Sequence, residues 1–323
     1  MTLLLTHEDV RKAVSMQDAI DAMEAAFAEE GRGAALLPQR INMKLSKGWL
    51  RVGPVALEES RWMGFKAMNL TPGQGVRYQV HLYSMDDGSL KAIMDAQHLT
   101  TLRTGATSAV ATRRLARPGA GEVAVLGSGV EARAQIEAMI VAGYVKRARV
   151  FSPTAANRKR LCDDMRAAYG VDMIDVDNAE DAVTGADIVV AAVKAGEPVL
   201  FGRWLKPGTH VNSVGTARRD QREIDVETFT RSSLIVVDTR EGVFTEAGDA
   251  YAAREAVSPE SALELHELAG DVQSRRTSDE QITLFKSVGT GIQDIALAAV
   301  IYRNALAAGL GNELGEFPYL KQA

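Results

Sequence analysis

The sequence contains a single cysteine, Cys162, so it has neither an intrachain disulfide nor a zinc site built from cysteines. It has no apolar run of the roughly 18 to 20 residues that span a membrane, and residues 1–9 lack the basic and apolar segments of a signal peptide. Basic residues are not in excess, because 37 Lys and Arg face 42 Asp and Glu, which disfavours a nucleic-acid partner. The five histidines lack metal-ligand spacing. We therefore expect a cytoplasmic α/β protein without a metal, nucleic-acid or membrane partner.

The first third of the chain has the pattern of mixed α and β structure. An amphipathic helix is predicted over residues 16–30, because Ile20, Met23 and Phe27 recur every three to four positions. Partly alternating runs predict strands, and Asp-Asp-Gly at residues 86–88 predicts a turn. The predicted strands cover residues 41–45, 49–52, 64–68, 79–85 and 92–94. A further helix is predicted over residues 100–116, with a Pro-Gly pair two residues later.

From residue 122 onward, short and almost wholly apolar runs alternate with helical patterns. These runs cover residues 122–126, 148–151, 171–174, 188–193, 210–214 and 234–237. Because both faces of such strands must be covered, the alternation predicts a doubly wound parallel sheet. We therefore expect two domains, a Rossmann domain over residues 117–292 and an α+β domain that combines residues 1–116 with a C-terminal helix at about 293–323.

The segment Gly-Ser-Gly-Val-Glu-Ala at residues 127–132 follows a predicted strand and opens a predicted helix. The tight turn requires Gly127, Gly129 lets a pyrophosphate approach the backbone, and Ala132 lets the helix pack closely on the strand. The free N–H groups at the helix N-terminus favour phosphate. Such a segment alone also occurs in ordinary turns, but the flanking strand and helix predict a dinucleotide site.

The ribose end of the predicted site has no diagnostic residue. An NAD site places an acidic residue about 20 positions further on, at the end of the second strand, and here Ser152 stands near that place. An NADP site instead has a cation near the 2′-phosphate. Arg158 and Lys159, one helical turn further along, are the candidates for this role, and the alternative is that both lie on a solvated helix face. We expect NAD(H) to be favoured slightly over NADP(H). The predicted cofactor contacts are Gly127, Ser128, Gly129, Val130, Ser152, Thr154, Arg158, Val214 and Gly215.

Four segments together resemble the ornithine cyclodeaminase/mu-crystallin family. They are residues 64–69 (Gly-Phe-Lys-Ala-Met-Asn), 102–109 (Leu-Arg-Thr-Gly-Ala-Thr-Ser-Ala), 125–129 (Val-Leu-Gly-Ser-Gly) and 284–289 (Leu-Phe-Lys-Ser-Val-Gly). Their order and spacing are more specific than any one segment, and the resemblance runs along nearly the whole chain. It implies an N-terminal domain for substrate binding and dimerisation beside a Rossmann domain, a homodimer, and a small α-amino or α-imino acid as substrate.

The resemblance places the cations that bind the substrate carboxylate on Arg40, Lys66 and Arg103. We expect Lys66 and Arg103 to act in catalysis as well. Arginine offers a bidentate clamp and lysine a compact charge, and holding the carboxylate fixes the reacting carbon. Ordinary ion pairing is the alternative. However, Lys66 lies in an apolar strand run and Arg103 lies among small residues at a helix start, so simple exposure is disfavoured.

Two positions depart from the cyclodeaminases of that family. Ala217 stands where they have a catalytic aspartate, with Asp220 three residues further, and Arg51 stands where they have a glutamate for the distal amine. Because Arg51 would repel a cationic side chain and attract an anionic one, the reductase branch is favoured. We expect NAD(P)H-dependent reduction of an α-imino acid to an L-amino acid, with iminosuccinate to L-aspartate as the leading candidate. Arg51, or Arg77 as a second choice, would bind the second carboxylate, although a solvated strand position is the alternative for Arg51.

The proton donor is left open by the sequence. His81 lies in an alternating strand, where a structural role is more common, and Asp294 stands at the start of a predicted helix, where capping is the alternative. Two other functions also remain open. One is a lyase of the ornithine cyclodeaminase type, and the other is a non-enzymic ligand-binding protein similar to mu-crystallin.

Overall fold

The structure, a computed structural model, describes residues 2–269, 276–315, 317 and 318, and the chain divides into two units. Unit 1 comprises residues 1–103 and 290–323, and unit 2 comprises residues 104–289. Helices and strands are numbered in chain order. Helix α3 (Gln97–Leu115) belongs to unit 1 up to Arg103 and to unit 2 from Thr104. None of the helices in the described part of the chain is long and apolar enough to cross a membrane.

Unit 1 consists of a mixed sheet and helices that pack on it. Besides the start of α3, its described helices are α1 (His7–Ala13), α2 (Met16–Gly31) and α10 (Gly291–Ala308). Its described strands are β1 (Leu3–Leu5), β2 (Ala35–Leu36), β3 (Ile41–Lys44), β4 (Trp49–Leu57), β5 (Trp62–Thr71), β6 (Gly75–Ser84), β7 (Leu90–Asp95) and β16 (Asn312–Glu313). The sheet order is β16-β1-β7-β6-β5-β4-β2, with β3 also paired to β4. β1 and β7 run parallel, whereas the other pairs are antiparallel.

The two faces of this sheet differ in burial. Helix α10 packs against β4, β5 and β6, and the side chains of Val55, Lys66 and Val80 on that face are buried. We call it the helix-covered face. The opposite, outer face carries half-buried residues such as Phe65 and Tyr83. Since directly paired residues of neighbouring strands point to the same face, the strand register assigns each site residue to one face or the other.

Strand β4 is longer than the sequence pattern predicts, because it continues through Gly53 and Pro54. Proline cannot donate to a neighbouring strand and is tolerated where no bond is required. On one side of β4, β3 pairs with residues 49–52 and β2 pairs with residues 56 and 57. Pro54 therefore lies opposite the gap between β3 and β2.

Unit 2 consists of a parallel sheet with interspersed helices. The strands in its described residues are β8 (Glu122–Leu126), β9 (Arg147–Phe151), β10 (Asp172–Asp175), β11 (Ile188–Ala191), β12 (His210–Ser213), β13 (Leu234–Val237), β14 (Leu263–Glu264) and β15 (Thr283–Lys286). Its described α-helices, after the end of α3, are α4 (Val130–Val141), α5 (Ala155–Tyr169), α6 (Ala179–Val183), α7 (Val226–Arg231), α8 (Arg240–Glu246) and α9 (Gly248–Ala253). In the described residues the order is β10-β9-β8-β11-β12-β15-β13-β14, with every pair parallel. The predicted fold class, a Rossmann sheet beside an α+β unit, is confirmed.

Strand β15 is the main element of unit 2 that the sequence pattern misses. It lies between β12 and β13, in the interior of the sheet, and all four of its residues are buried. Its apolar run is only Leu284 and Phe285, between Thr283 and Lys286. Two apolar residues are too few to distinguish a buried strand from a loop.

Candidate cofactor and substrate sites

The predicted dinucleotide turn lies between β8 and α4. Gly127 has a φ of 120°, which L side chains rarely adopt, and a Cβ there would lie 2.8 Å from the Ala192 carbonyl oxygen. Gly129 is the N-cap of α4, and among the described atoms nothing lies within 4 Å of a Cβ built on it. A phosphate can therefore approach the backbone and the helix N-terminus at Gly129, so the turn fits the pyrophosphate of NAD(H).

A cleft of about 480 Å³ opens at this turn. Besides the two glycines, its lining contains four of the predicted cofactor residues: Ser128, Val130, Ser152 and Thr154. The remaining lining residues, which the sequence analysis did not single out, are Glu131, Pro153, Ala192, Val193 and Lys194. The last three follow β11, and they could have been found from the sequence, because parallel strands place their carboxyl ends at one edge of the sheet.

Arg158 is buried behind the end of β9 rather than facing the cleft. Its Nη1 donates to the Ser152 carbonyl oxygen at 3.2 Å, its Nη2 donates to Asp177, and its Nε lies 3.8 Å from Asp175 Oδ2. A solvated position is therefore wrong for Arg158. Direct cofactor contact is also not what this geometry supports, because Arg158 is not among the residues that line the cleft and its guanidinium donates to one carbonyl and one carboxylate. At the cleft itself, the hydroxyl oxygens of Ser128 and Ser152 lie 2.8 Å apart.

Val214 and Gly215 follow β12, next to a buried charged cluster that the sequence analysis missed. The cluster comprises Lys286 at the end of β15, Glu223 and Asp249, all wholly or almost wholly buried. Lys286 Nζ lies 2.9 Å from Asp249 Oδ2 and 3.4 Å from Glu223 Oε1. Burial would lower the pKa of Lys286, but the adjacent carboxylates outweigh it and raise that pKa above its ordinary value. The three residues are distant in the sequence, so only the fold brings them together.

In unit 1, strand β5 and helices α3 and α10 bring two predicted cations onto one carboxylate. Lys66 Nζ donates to Asp294 Oδ1 at 2.8 Å, and Arg103 Nε lies 3.2 Å from the same oxygen. Arg103 Nη1 also donates to Gln293 Oε1 at 2.8 Å. The three charged side chains are at most 9% exposed. The alternative role considered for Asp294, that of a helix cap, is wrong. The N-cap of α10 is Thr290, and the Asp294 carboxylate holds the two cations instead.

Arg40 is the third predicted cation of this group. Its stem packs over Gly53, where a Cβ would lie 3.4 Å from Arg40 Cγ, and Gly53 pairs directly with Lys66. The pKa of Lys66 is lowered to about 8, mainly by burial, with Arg103 and Arg40 adding to the shift and Asp294 opposing it. Arg103 and Arg40 are thus close enough to Lys66 to affect its pKa, and such a grouping of three cations suits an anionic ligand.

The two cations predicted for a second carboxylate lie on different faces of the sheet. Arg51 is two residues from Gly53 on β4, so its side chain lies on the helix-covered face with Lys66. Arg77 pairs with Asn69, three positions from Lys66 on β5, and therefore lies on the outer face. The structure does not bring Arg77 together with Lys66 within one chain, which corrects the second choice made from the sequence.

His81 also lies on the outer face, away from Lys66. Its ring stacks on Phe65 with the ring centroids 4.7 Å apart, and burial lowers its pKa. This packing is a structural role. Asp220 is exposed and pairs with Arg218, so its carboxylate is engaged at the surface. The described residues contain no group of three His, Cys, Asp or Glu side chains that could hold a metal ion.

Comparison with known proteins finds relatives along nearly the whole chain. The sequence profile of the ornithine cyclodeaminase/mu-crystallin family matches residues 1–309. The chain is 31% identical to ketimine reductase mu-crystallin from Mus musculus over 293 residues, which cover 88% of this chain and 90% of that protein.

Two solved structures share the fold with TM-scores of 0.91. One is the Thermococcus litoralis Delta(1)-pyrroline-2-carboxylate reductase in complex with NADH and L-proline, which is 34% identical and covers 97% of this chain and 100% of its own. The other is an archaeal alanine dehydrogenase dimer with bound NAD, which is 31% identical and covers 98% of this chain and 99% of its own. The resemblance read from the four sequence segments is confirmed, and the chain belongs to the ornithine cyclodeaminase/mu-crystallin family.

Proposed function

We propose that this chain is an NAD(H)-dependent oxidoreductase that acts on carbon–nitrogen bonds and reduces an α-imino acid to an L-amino acid. The observation that carries the proposal is the pair of buried cations, Lys66 and Arg103, held on Asp294. Unit 2 of the same chain has the dinucleotide turn and cleft. The relatives named as ketimine reductase and pyrroline-2-carboxylate reductase support this class of reaction.

The residues of unit 1 bind and orient the substrate carboxylate in this proposal. Arg103 offers guanidinium N–H groups and Lys66 offers an ammonium group, and both make charge-assisted hydrogen bonds to carboxylates. Asp294 holds both cations in place before the substrate arrives, so little reorganisation is required. A fixed carboxylate fixes the adjacent imine carbon, and bound NADH supplies the hydride that this carbon accepts. The imine is reduced in its protonated form, so no separate proton donor is required at its nitrogen.

We infer a preference for NAD(H) over NADP(H) from the residues at the ribose end of the cleft. Arg158, a cation near this end, does not line the cleft, and its guanidinium donates to the Ser152 carbonyl oxygen and to Asp177 instead, so we infer that it does not bind a 2′-phosphate. Bound NADH and NAD in the two structural relatives agree with this preference. Ser152→Asp would add the acidic residue typical of NAD sites and should raise the ratio of kcat/KM for NADH to that for NADPH by roughly tenfold or more. A wild-type preference for NADPH would contradict the inference.

For the substrate, the leading candidate is iminosuccinate, reduced to L-aspartate. Arg51 and Lys66 lie on the same face of neighbouring strands. Because Arg51 is two residues from Gly53, the direct partner of Lys66, the two are diagonal neighbours roughly 7–8 Å apart. The Arg51 guanidinium, which donates to Asn42, is therefore within side-chain reach of a second carboxylate on a ligand bound at Lys66. A specific second cation is what distinguishes a dicarboxylic substrate from a monocarboxylic one.

A second candidate substrate is a cyclic monocarboxylic imine of the Δ1-pyrroline-2-carboxylate type. The similarity to the Delta(1)-pyrroline-2-carboxylate reductase from Thermococcus litoralis, which is 34% identical over nearly the whole chain, favours this candidate. Arg51→Met separates the two candidates. If Arg51 binds the second carboxylate, the variant should lose roughly tenfold or more in kcat/KM for iminosuccinate, with little change for the cyclic imine. An unchanged preference between the two substrates would remove the dicarboxylate assignment.

The proposed reaction is tested by NADH oxidation with oxaloacetate, pyruvate or glyoxylate, each mixed with ammonium or methylamine, and with Δ1-pyrroline-2-carboxylate alone. Every oxo acid has an amine-free control. Amine-dependent turnover supports an imine reductase, and turnover without amine would instead indicate a ketone reductase. Ammonia release from ornithine with NAD⁺ would favour the lyase. NADH binding without turnover in any of these mixtures would favour a binding protein.

We also propose that the chain forms a homodimer through the outer face of the unit 1 sheet. This face carries half-buried apolar side chains, including Val52, Met63, Phe65 and Ile93, and the archaeal alanine dehydrogenase is described as a dimer. Light scattering should give twice the chain mass of 34.8 kDa. Phe65→Glu should lower that mass to the monomer value, whereas Leu306→Glu, at an exposed position on α10, should not.

A further inference from the structure

A network of buried polar groups lies beneath the loop that follows β12. Lys286 Nζ donates to Ser213 Oγ and Thr216 Oγ1, both at 2.9 Å, and Thr216 Oγ1 donates to Asp249 Oδ2 at 3.0 Å. Ser213 Oγ donates to Glu223 Oε1 at 2.6 Å. All five side chains are at most 1% exposed. Displacement of Ser213 or Thr216 would break these hydrogen bonds and leave buried charged groups without partners, which is costly in such an interior. The network therefore holds the backbone that carries Ser213 and Thr216 in place.

Glu223 connects this network to two separate loops. Its Oε1 accepts the Gly215 N–H at 2.8 Å, in the loop after β12, and its Oε2 accepts the Val193 N–H at 3.1 Å, in the loop after β11. The two loops touch there, since a Cβ on Gly215 would lie 2.3 Å from the Val193 nitrogen and 2.4 Å from Glu223 Oε2. One carboxylate thus sets the spacing between two backbone segments, and Val193 lines the cofactor cleft.

The position of these loops in the sheet indicates which half of the cofactor they serve. In the order β10-β9-β8-β11-β12, the strands on one side of the boundary between β8 and β11 follow the chain in one direction and those on the other side follow it in the opposite direction. A Rossmann sheet binds the two halves of a dinucleotide on either side of such a point. The glycine turn follows β8, and Ser152 and Thr154 follow β9, which is the side of the adenosine half. The loops after β11 and β12 are therefore on the side of the nicotinamide half.

We propose that Glu223, anchored by Lys286, is a positioning residue for the nicotinamide half of the cofactor, acting through the backbone of Val193 and Gly215. The proposal rests on the proposed use of NAD(H). Glu223 itself does not touch the reacting atoms. It holds two loops at one spacing, and a misplacement of about 1 Å between reacting groups can cost roughly a hundredfold in rate.

The test compares two ligands that differ in the nicotinamide half. NADH carries both halves, whereas ADP-ribose lacks the nicotinamide ring, and calorimetry gives the dissociation constant of each. Glu223→Gln keeps the shape of the side chain and leaves Lys286 paired with Asp249, but its amide NH₂ would face one of the two backbone N–H donors. We expect NADH affinity to fall by roughly tenfold or more, with ADP-ribose affinity unchanged. Glu223→Asp keeps the charge and shortens the side chain, and it should give the same selective loss.

Asp187→Asn is the matched control. Asp187 is also a buried carboxylate that accepts two backbone N–H groups, those of Gly121 and Glu122, but it lies at the amino edge of the sheet, before β11. The Asp187→Asn substitution should lower the melting temperature and leave the affinities for NADH and ADP-ribose unchanged. With a reducible imine, Glu223→Gln should also lower kcat and increase the isotope effect of 4-deuterated NADH, which a general loss of stability would not do.

Each outcome of this experiment bears on a separate claim. Equal losses of NADH and ADP-ribose affinity in both Glu223 variants, or no loss of either, would overturn the positioning role. Failure of the wild-type chain to bind NADH would instead contradict the proposed cofactor. If the wild-type chain binds NADH but reduces no imine, the proposed reaction fails, while the ratio of the two affinities still tests Glu223.

Discussion

Lys66→Met removes one of the two buried cations that share the Asp294 carboxylate. In the wild-type chain, Lys66 Nζ lies 2.8 Å from Asp294 Oδ1, and Arg103 Nε lies 3.2 Å from the same atom. After the substitution Asp294 keeps Arg103, so no buried charge is left without an opposite charge, and the methionine fills much of the volume of the lysine stem. We therefore expect the variant to fold and to bind NADH as tightly as the wild-type chain does.

The size of the effect on a carboxylate ligand follows from the bond that is lost. A hydrogen bond to a charged group in a buried site contributes roughly 1.5–3 kcal/mol, which corresponds to roughly 10- to 150-fold in the dissociation constant. Arg103 and Arg40 remain, so binding is weakened but not abolished. Succinate is a suitable probe, because it is not reduced and its carboxylates do not titrate between about pH 7 and pH 10.

The pH dependence of this binding is a second, independent consequence. The pKa of Lys66 is lowered to about 8, so the side chain is charged below that pH and neutral above it. Because a carboxylate binds the charged form, wild-type affinity should be constant below the pKa and fall by roughly tenfold for each pH unit above it. In Lys66→Met this inflection should be absent, and the difference between the two proteins should shrink as the pH rises from 7 to 9.

Calorimetric titration with succinate at several pH values measures both effects. Lys91→Met is the matched control, since Lys91 belongs to the same sheet but pairs with Asp87 at a surface turn, 2.9 Å away. It should bind succinate like the wild-type chain at every pH. An inflection near pH 8 that persists in Lys66→Met would refute the assignment, because another group would then be responsible.

Two further substitutions test the dinucleotide turn at Gly129 and the ion pair between Lys66 and Asp294. Gly129→Ala should weaken NADH binding by roughly tenfold or more, because the added methyl group occupies the approach of the pyrophosphate. It should change the melting temperature by only about 2 °C, because that methyl group meets no described protein atom. Unchanged NADH affinity in calorimetry would contradict the role of the turn. Asp294→Asn should move the inflection of succinate binding below pH 8, since Asp294 is the group that raises the pKa of Lys66; a shift to higher pH would contradict the ion-pair geometry.

The sequence was sufficient to predict the fold class and the dinucleotide turn, because both depend on local patterns. Apolar runs define most strands of unit 2, and the turn at residues 127–132 has a spacing that is recognisable without any tertiary contact. Boundaries were less predictable. β4 runs through Pro54 only because its neighbouring strands leave a gap there, and β15 is a strand only because it pairs with β12 and β13.

The site residues show the same limit more clearly. Lys66 and Arg103 were identified through the family resemblance, and Asp294 was named as a possible proton donor or helix cap. Its pairing with both cations was not predicted, because Asp294 lies on a helix 191 positions after Arg103 and sequence periodicity carries no information about such contacts. The sequence left both Arg51 and Arg77 as candidates for binding a second carboxylate, and only the strand register separates them onto different faces. Lys286 and Glu223 are 63 positions apart and meet only in the folded sheet.

The central claim is that a hydride passes from the nicotinamide to the α-carbon of an imino acid. The most direct test is a turnover experiment with NADH carrying deuterium on one or the other face of C4, with the imine that gives turnover, followed by mass spectrometry and NMR of the amino acid formed. We predict one deuterium at the α-carbon of an L-amino acid from one of the two labelled cofactors and none from the other. An amino acid without deuterium from either cofactor, or with deuterium at another carbon, would contradict the account.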